Sequence, residues 1–419
     1  KFSQAANDSI TVPQYLSNRF LTKSPALQII CAIVFLVFFT IYVASSFVAG
    51  QKVFIQVVPQ LAENPNIALL IFAAIIIVYT FLGGFKAVCW TDFFQGLMML
   101  AALLAVPIVL VMAKDIDYSV FETVDGGVNP LNPFSASWQD IASGLAWGLG
   151  YFGMPHIIVR FMAIKKPSMV KKSATVAIVW VVITLGAAIA IAVLGRTFLL
   201  TDGTSLSALL LPAGAQQDIF ITVVLDIFPA FIAGILLAAI VAAAMSTADS
   251  QLLVASSAFT SDIYKPIIRK NKTTDKEILW VGRIVVLAVA VVGFIIAASG
   301  INSADSWANS IMSMVENAWG LFGASFGPVV ILSLFWRRFN YAGACAGIIT
   351  GAAVDIFWLL TCTSTIIKTP LIGNTGVYEV LPGFIAGLIA AVAVSLVTKA
   401  PSAEVDAIFE SATDESIDD

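Results

Sequence analysis

The chain has 419 residues, 59% of them hydrophobic and only 11% charged, with a mean hydropathy of +0.95 and a formal net charge of −4. Soluble domains carry about 25% charged residues, so this chain cannot cover itself with polar surface and reads as an all-α integral membrane protein embedded in a lipid bilayer. The charge balance offers no basic face for nucleic acid. The four cysteines, Cys31, Cys89, Cys345 and Cys362, are widely spaced with no CxxC or Cys/His pattern, which reads as packing rather than metal or disulfide chemistry.

In chain order, the polar opening KFSQAANDSITVPQYLSNRF has no signal-peptide pattern and reads as a loop between helices, implying spans upstream of it. Ten apolar segments then follow, at 26–50, 67–84, 91–112, 138–160, 173–198, 230–262, 277–299, 306–336, 342–362 and 379–398. Each is long enough at helical rise to cross a membrane. Segments 230–262 and 306–336 exceed the bilayer, so they must tilt, kink or project. The division is one transmembrane domain over 1–400, N-terminally incomplete, and an acidic, solvated cytoplasmic tail over 401–419.

Cationic residues alternate with these spans. Seventeen of the 22 Lys and Arg lie on the N-terminal side, including Arg160, Lys165, Lys166, Lys270, Arg337 and Arg338. Only Lys52, Lys114, Arg196 and Lys368 lie on the other, and Arg283 falls inside a span. By the positive-inside rule both termini are cytoplasmic.

The fourth span contains AWGLGYFGMPH (146–156), with three glycines, a proline and the single histidine, His156. Gly148, Gly150 and Gly153 permit unwinding, and Pro155 lacks the donor a continuing helix needs. Backbone groups freed in lipid cost several kcal/mol unless protein or a wet cavity receives them. Transporters place such breaks at a substrate site near the midplane; a proline kink with glycines for close packing is the alternative. Trp147 and Tyr151 share a face at i, i+4 and offer an apolar wall, a π surface and a hydroxyl. No Asp, Glu, Lys or Arg occurs from Ile141 to Val159, which suits a small zwitterion held by backbone N–H groups.

A second constellation lies in IVAAAMSTADSQLL, where Ala243, Ser246 and Thr247 at i, i+3, i+4 put a carbonyl and two hydroxyls on one face. A hard cation such as sodium prefers such oxygens. Hydroxyls bonding back to the preceding turn are the other reading.

The stretches FFTIYVASSFVAG (38–50), YTFLGGFKAVCWTDFFQGLM (79–98), WGLGYFGMPHIIVRFMA (147–163), GILLAAIVAAAMSTADSQLLVASSA (234–258), LWVGRIVV (279–286), AWGLFGASFGPVVILSLFW (318–336) and KAPSAE (399–404) resemble the sodium/solute symporter family, within it the bacterial sodium/proline symporters. The likeness runs collinearly from about Thr11 to Glu404. It implies a LeuT-like inverted-repeat fold, with about ten of thirteen transmembrane helices present and the first discontinuous core helix among those missing.

The resemblance further implies that Ser246, Thr247 and the Ala243 carbonyl bind sodium, the coupling ion. Trp147, Tyr151 and Pro155 become substrate-site or gating positions, joined by Tyr42, which faces the core with Ser45 and Ser46. Asp92 matches a family acid, with a capping or loop-anchoring role at least as fitting as ion handling. Glu316 and Asp249 stand where the proline transporters often carry small polar residues; Asp355 and His156 read as packing residues. The function implied is sodium-coupled import of L-proline across the plasma membrane by alternating access. Another amino acid or a betaine is the alternative substrate. An enzyme lacks convergent nucleophiles, acids or metal ligands; a transporter-like sensor domain is the remaining alternative, and since only 19 residues follow Ala400, too few for a kinase domain, it requires a chain truncated at its C-terminus.

Overall fold

The computed structural model describes residues 1–113, 136–164, 166–201, 215–301, 306–367 and 369–413. The described residues form helices and loops without a strand. Lys114, Lys165, Lys368 and the last residues of the acidic stretch lie outside them.

Two short helices, α1 (Phe2–Ala5) and α2 (Val12–Arg19), precede the first span, α3 (Ala26–Val57). The next helical run, α4 (Pro65–Ala113), has 49 residues, about 73 Å if straight against about 30 Å of hydrocarbon. It is not straight. Tyr79 donates its hydroxyl proton to Thr91 Oγ1, twelve residues on, and a straight helix holds such positions about 18 Å apart. Pro65–Gly83 and Val88–Met112 are its two apolar arms, so the spans expected at 67–84 and 91–112 are both there.

The span expected at 138–160 is not one helix. It divides into α5 (Trp138–Gly150) and α6 (Pro155–Met162), with a turn between them. The remaining helices are α7 (Met169–Thr201), α8 (Ile219–Ile227), α9 (Ala230–Phe259), α10 (Asp275–Gly300), α11 (Ile311–Phe335), α12 (Tyr341–Thr361), α13 (Val380–Val397) and α14 (Ala403–Thr413). With the two arms of α4 counted separately, nine helical stretches among the described residues are long and apolar enough to cross a membrane; the α5–α6 pair is the tenth expected span. The over-long segment 230–262 does not shorten: α9 continues as a π-helical stretch, Thr260–Ile268. Segment 306–336 shortens instead, because Trp307–Asn309 forms a separate turn and Ser310 caps α11 by accepting from Ser313 N at 3.1 Å.

Helix α11 is central. Of its most apolar window 78% is buried, against 17% for α7, whose Val176, Ile178, Val182 and Ile189 are exposed, the lipid-facing pattern of a peripheral span. Glycines bring α12 and α13 against α11. A Cβ on Gly351 would stand 2.1 Å from the Ala324 carbonyl oxygen, one on Gly383 2.7 Å from Ala324 Cβ, and one on Gly387 3.2 Å from Gly351 Cα. Such backbone approach supplies packing where lipid offers no hydrophobic drive.

The acidic C-terminal stretch, expected to be solvated, begins as a docked helix. Val405 and Ala412 of α14 are buried, Arg337 pairs with Asp406 at 3.2 Å and with Glu410 at 2.8 Å, and buried Arg19 of α2 donates to the Val405 carbonyl at 3.1 Å. The carboxylates of Asp406 and Glu410 push the Arg337 guanidinium further up its already basic range.

The close approach at Gly351 generates a stability test. Gly351→Ala forces the α11–α12 seam apart and is expected to destabilise the protein by about 1–3 kcal/mol, the range for overpacking. Gly373→Ala is the comparison for glycine replacement away from packing, since a Cβ there meets nothing within 4 Å, although its φ of +104° adds backbone strain. Thermal unfolding in detergent reads both.

Candidate functional site

The break between α5 and α6 is built against α11. Ser137 and Asp140 form a capping box that starts α5. The helix ends at Gly150, Gly153 N closes a turn onto the Gly150 carbonyl at 2.9 Å, and Pro155 opens α6. A Cβ on Gly150 would fall 1.8 Å from Trp319 Nε1, and one on Gly153 2.1 Å from the Phe322 carbonyl oxygen. Trp319 Nε1 donates to the Trp147 carbonyl at 2.9 Å, satisfying a backbone acceptor in the last turn before the break. The glycines thus serve both readings at once, unwinding and close packing.

Around the break the aromatic rings form one cluster. Trp147 stacks on Trp319 at 5.7 Å and on Tyr378 at 5.5 Å. Tyr151 meets Trp319 edge-on at 4.7 Å and remains 40% exposed, so it presents an open face. Tyr42 of α3 is half-buried and lies edge-on to His156 at 6.3 Å. Pro155 is buried beneath them. His156 also meets Phe39 at 5.9 Å, but its buried Nδ1 has no hydrogen-bond partner among the described residues, so it packs against the ring without being satisfied at that atom.

His156 lines a cavity of about 860 Å³ that also touches Thr80, Cys89, Arg160, Ser250 and Arg283. At its wall Arg160 Nη2 meets Asp92 Oδ2 at 2.5 Å and Ser250 Oγ at 2.7 Å. Asp92 thereby links the second arm of α4 to α6, and Ser250 Oγ of α9 lies 3.4 Å from its Oδ2. Asp249, fully buried, accepts from Thr80 of the first arm.

One turn earlier on α9, Ser246 Oγ and Thr247 Oγ1 both donate to the Ala243 carbonyl, at 3.0 and 2.9 Å. All three positions are half-buried. Three oxygens therefore converge on one face, with the hydroxyls bonded back to the preceding turn. A donating hydroxyl keeps its lone pairs, so the same oxygens remain acceptors toward a cation. Among the described residues no group of three or more His, Cys, Asp or Glu is arranged to hold a metal.

The profile of the Sodium:solute symporter family matches residues 2–351, most of the chain. The chain belongs to the sodium:solute symporter family. It is 39% identical to the osmoregulated proline transporter OpuE of Bacillus subtilis (strain 168) over 404 residues, covering 96% of this chain and 77% of that protein. It is likewise 39% identical to the sodium/proline symporter of Escherichia coli (strain K12) over 420 residues, 97% of this chain and 76% of the relative. A solved structure of a Na+-coupled sialic acid symporter, in a substrate-bound outward-open state, aligns with a TM-score of 0.69 over 94% of this chain and 78% of that one. Sequence identity there is 20%, so the match speaks to the fold: the LeuT-like transporter architecture implied by the family motifs.

The structure groups Tyr42, Trp147, Tyr151 and Pro155 at the break, and Ala243, Ser246 and Thr247 on α9. Two partners of these residues, and one neighbour in the adjoining cavity, escaped sequence reading. Trp319 sits in a recognised motif but carried no mark of a donor to Trp147. Tyr378 comes from a loop with no periodicity. Arg160 counted only as a cytoplasmic cation, although its guanidinium bridges Asp92 and Ser250.

The Trp319–Trp147 bond is the clearest local test. Trp319→Phe keeps the ring stack but removes the donor, leaving a carbonyl unpaired at the break. The expected loss is about 1–3 kcal/mol of stability, read by thermal unfolding, with Trp319→Leu worse because the stack is lost too.

Proposed function

We propose that the chain is most of the transmembrane domain of a sodium-coupled symporter that, as the full protein, imports L-proline by alternating access. The observation that carries this is near-full-length similarity, at 39–40% identity, to proteins named as proline transporters or sodium/proline symporters in three bacterial species. No covalent chemistry is required. Two states of the protein, one open to each side, are biased by joint occupancy of ion and substrate.

Proline is a small zwitterion with an apolar ring. The break supplies what it needs: an open Tyr151 face, the Trp147 wall, Tyr42 opposite, and no fixed charge from Ile141 to Val159 to repel either end. Trp147 is engaged on two sides by Trp319 and Tyr378, so it acts as a wall, whereas Tyr151 is the residue free to meet the substrate. Sodium binds at the Ala243 carbonyl, Ser246 and Thr247, whose oxygens suit a hard cation; the remaining ligands come from other helices. The protein spans the plasma membrane, with the C-terminal helix cytoplasmic beside the cationic loops.

The decisive experiment is sodium-dependent uptake of labelled proline by the full-length protein in proteoliposomes, with competition by other amino acids and betaine. Uptake without sodium, or equal competition by every solute, sinks the reading. Tyr151→Ala is expected to weaken proline binding by about 1–3 kcal/mol, the scale of losing a packed aromatic contact. Thr247→Ala removes one hard oxygen, so half-maximal proline binding should need more sodium, and saturating sodium should restore much of the affinity because the coupling is reciprocal. A proline defect that no sodium concentration relieves removes Thr247 from the ion site. Impermeant thiol reagents should label cysteines placed at Lys166 and Lys270 only from the cytoplasmic side; labelling from outside reverses the orientation.

A further inference from the structure

The seam between α11, α12 and α13 ends in a feature that neither proline nor sodium binding uses. Gly343, Gly347 and Gly351 recur every four residues along the packed face of α12, and the next position on that face is Asp355. Asp355 is fully buried, and neither of its carboxylate oxygens has a hydrogen-bond partner. Glu379, the residue before α13, is 2% exposed, and its Oε1 is equally unpartnered. Both acids border one small space: a Cβ built on Gly320 of α11 lies 3.3 Å from Asp355 Oδ1 and 3.3 Å from Glu379 Cγ. Neither acid forms an ion pair among the described residues. The other titratable groups facing them are Glu316 from α11 and Tyr378, and neither brings a positive charge.

Two facing carboxylates in a low-dielectric seam cannot both stay ionised, because each lacks solvation and repels the other. At least one of them is neutralised, by a proton or by a bound cation. A hard metal ion gathers several oxygens at close range, and among the described residues no group of three or more His, Cys, Asp or Glu is arranged to hold one. A proton needs no such shell. We propose that Asp355 and Glu379 share one proton, making the α11–α12–α13 seam a proton-binding site distinct from the sodium and proline sites.

The site connects to the break through one residue. Tyr378, next to Glu379, donates its hydroxyl to the Glu316 carbonyl at 2.7 Å and stacks on Trp147. Losing the proton sets two negative charges against each other beside the residue that buttresses Trp147. Proton occupancy therefore holds the substrate wall in place.

The test uses the full-length protein in lipid nanodiscs and first needs no substrate. Infrared spectroscopy should show the carbonyl stretch of a buried protonated carboxylic acid, shifted by isotopic labelling of Asp or Glu carboxyl carbons in the unmutated protein and lost in Asp355→Asn. Thermal stability should fall as pH rises, because the folded chain holds a proton that the unfolded chain releases. The isosteric double variant Asp355→Asn/Glu379→Gln should lose that pH dependence. Absence of the band, or stability that follows sodium concentration and ignores pH, overturns the proposal. A final arm rests on the proline reading: proline affinity should drop by roughly fivefold or more at alkaline pH, the lower end of typical coupling between sites, and stay level in the double variant. Level affinity in the parent, with the infrared band present, refutes the link to Trp147; no proline binding at any pH refutes the proline reading and leaves the infrared result standing.

Discussion

Everything at the centre of this protein depends on how a membrane helix is interrupted without leaving polar backbone in lipid. The break after Gly150 frees carbonyl and amide groups that hydrocarbon cannot receive. Helix α11 receives them instead: its Trp319 takes the Trp147 carbonyl as acceptor, and its own backbone at Phe322 comes close enough that Gly153 admits no side chain. That is why α11 is the most buried span. It must be surrounded on its other faces too, and α12 and α13 close on it through their glycines.

The same contacts give the break a direction. With one side sealed by Trp319, Phe322 and Tyr378, the open side is the one bearing Tyr151, while His156 of α6 lines a separate cavity that also touches Ser250 on α9. Helix α9 and the broken helix are held together by side chains, Arg160 with Ser250 foremost, and Arg160 also pairs with Asp92 of α4. A protein that changes between two states needs links of this kind: short, charge-assisted and confined to few residues, so that they separate as units.

Polar groups inside the bundle sort into two kinds. Asp92 and Asp249 have donors on neighbouring helices and fasten α4 to α9. Among the described residues both oxygens of Asp355 and Oε1 of Glu379 have none, so their burial calls for at least one of the two acids to be neutralised. Carboxylates in a membrane interior are retained where they carry a function, and here the acid pair terminates a stripe of glycines at the α11–α12–α13 seam.

The sequence by itself determined the solvent, the ten membrane crossings, the family and the position of the break, because each rests on composition, hydrophobic run length or a local motif. Gly148, Gly150, Gly153 and Pro155 announce an interruption whatever surrounds them. Ala243, Ser246 and Thr247 share a face by helical periodicity alone, and the structure adds only that their hydroxyls bond back to one carbonyl. What the tertiary structure decided are the pairings between distant elements. Periodicity says which face of a helix is apolar and nothing about which helix meets it, so Trp319 under Trp147, Tyr378 from a loop, and Arg160 between Asp92 and Ser250 were not legible. Asp355 read as a lone packing residue for the same reason: its partner, Glu379, is 24 positions away in the chain, and only the packing of α12 and α13 against Gly320 brings the two acids to one space.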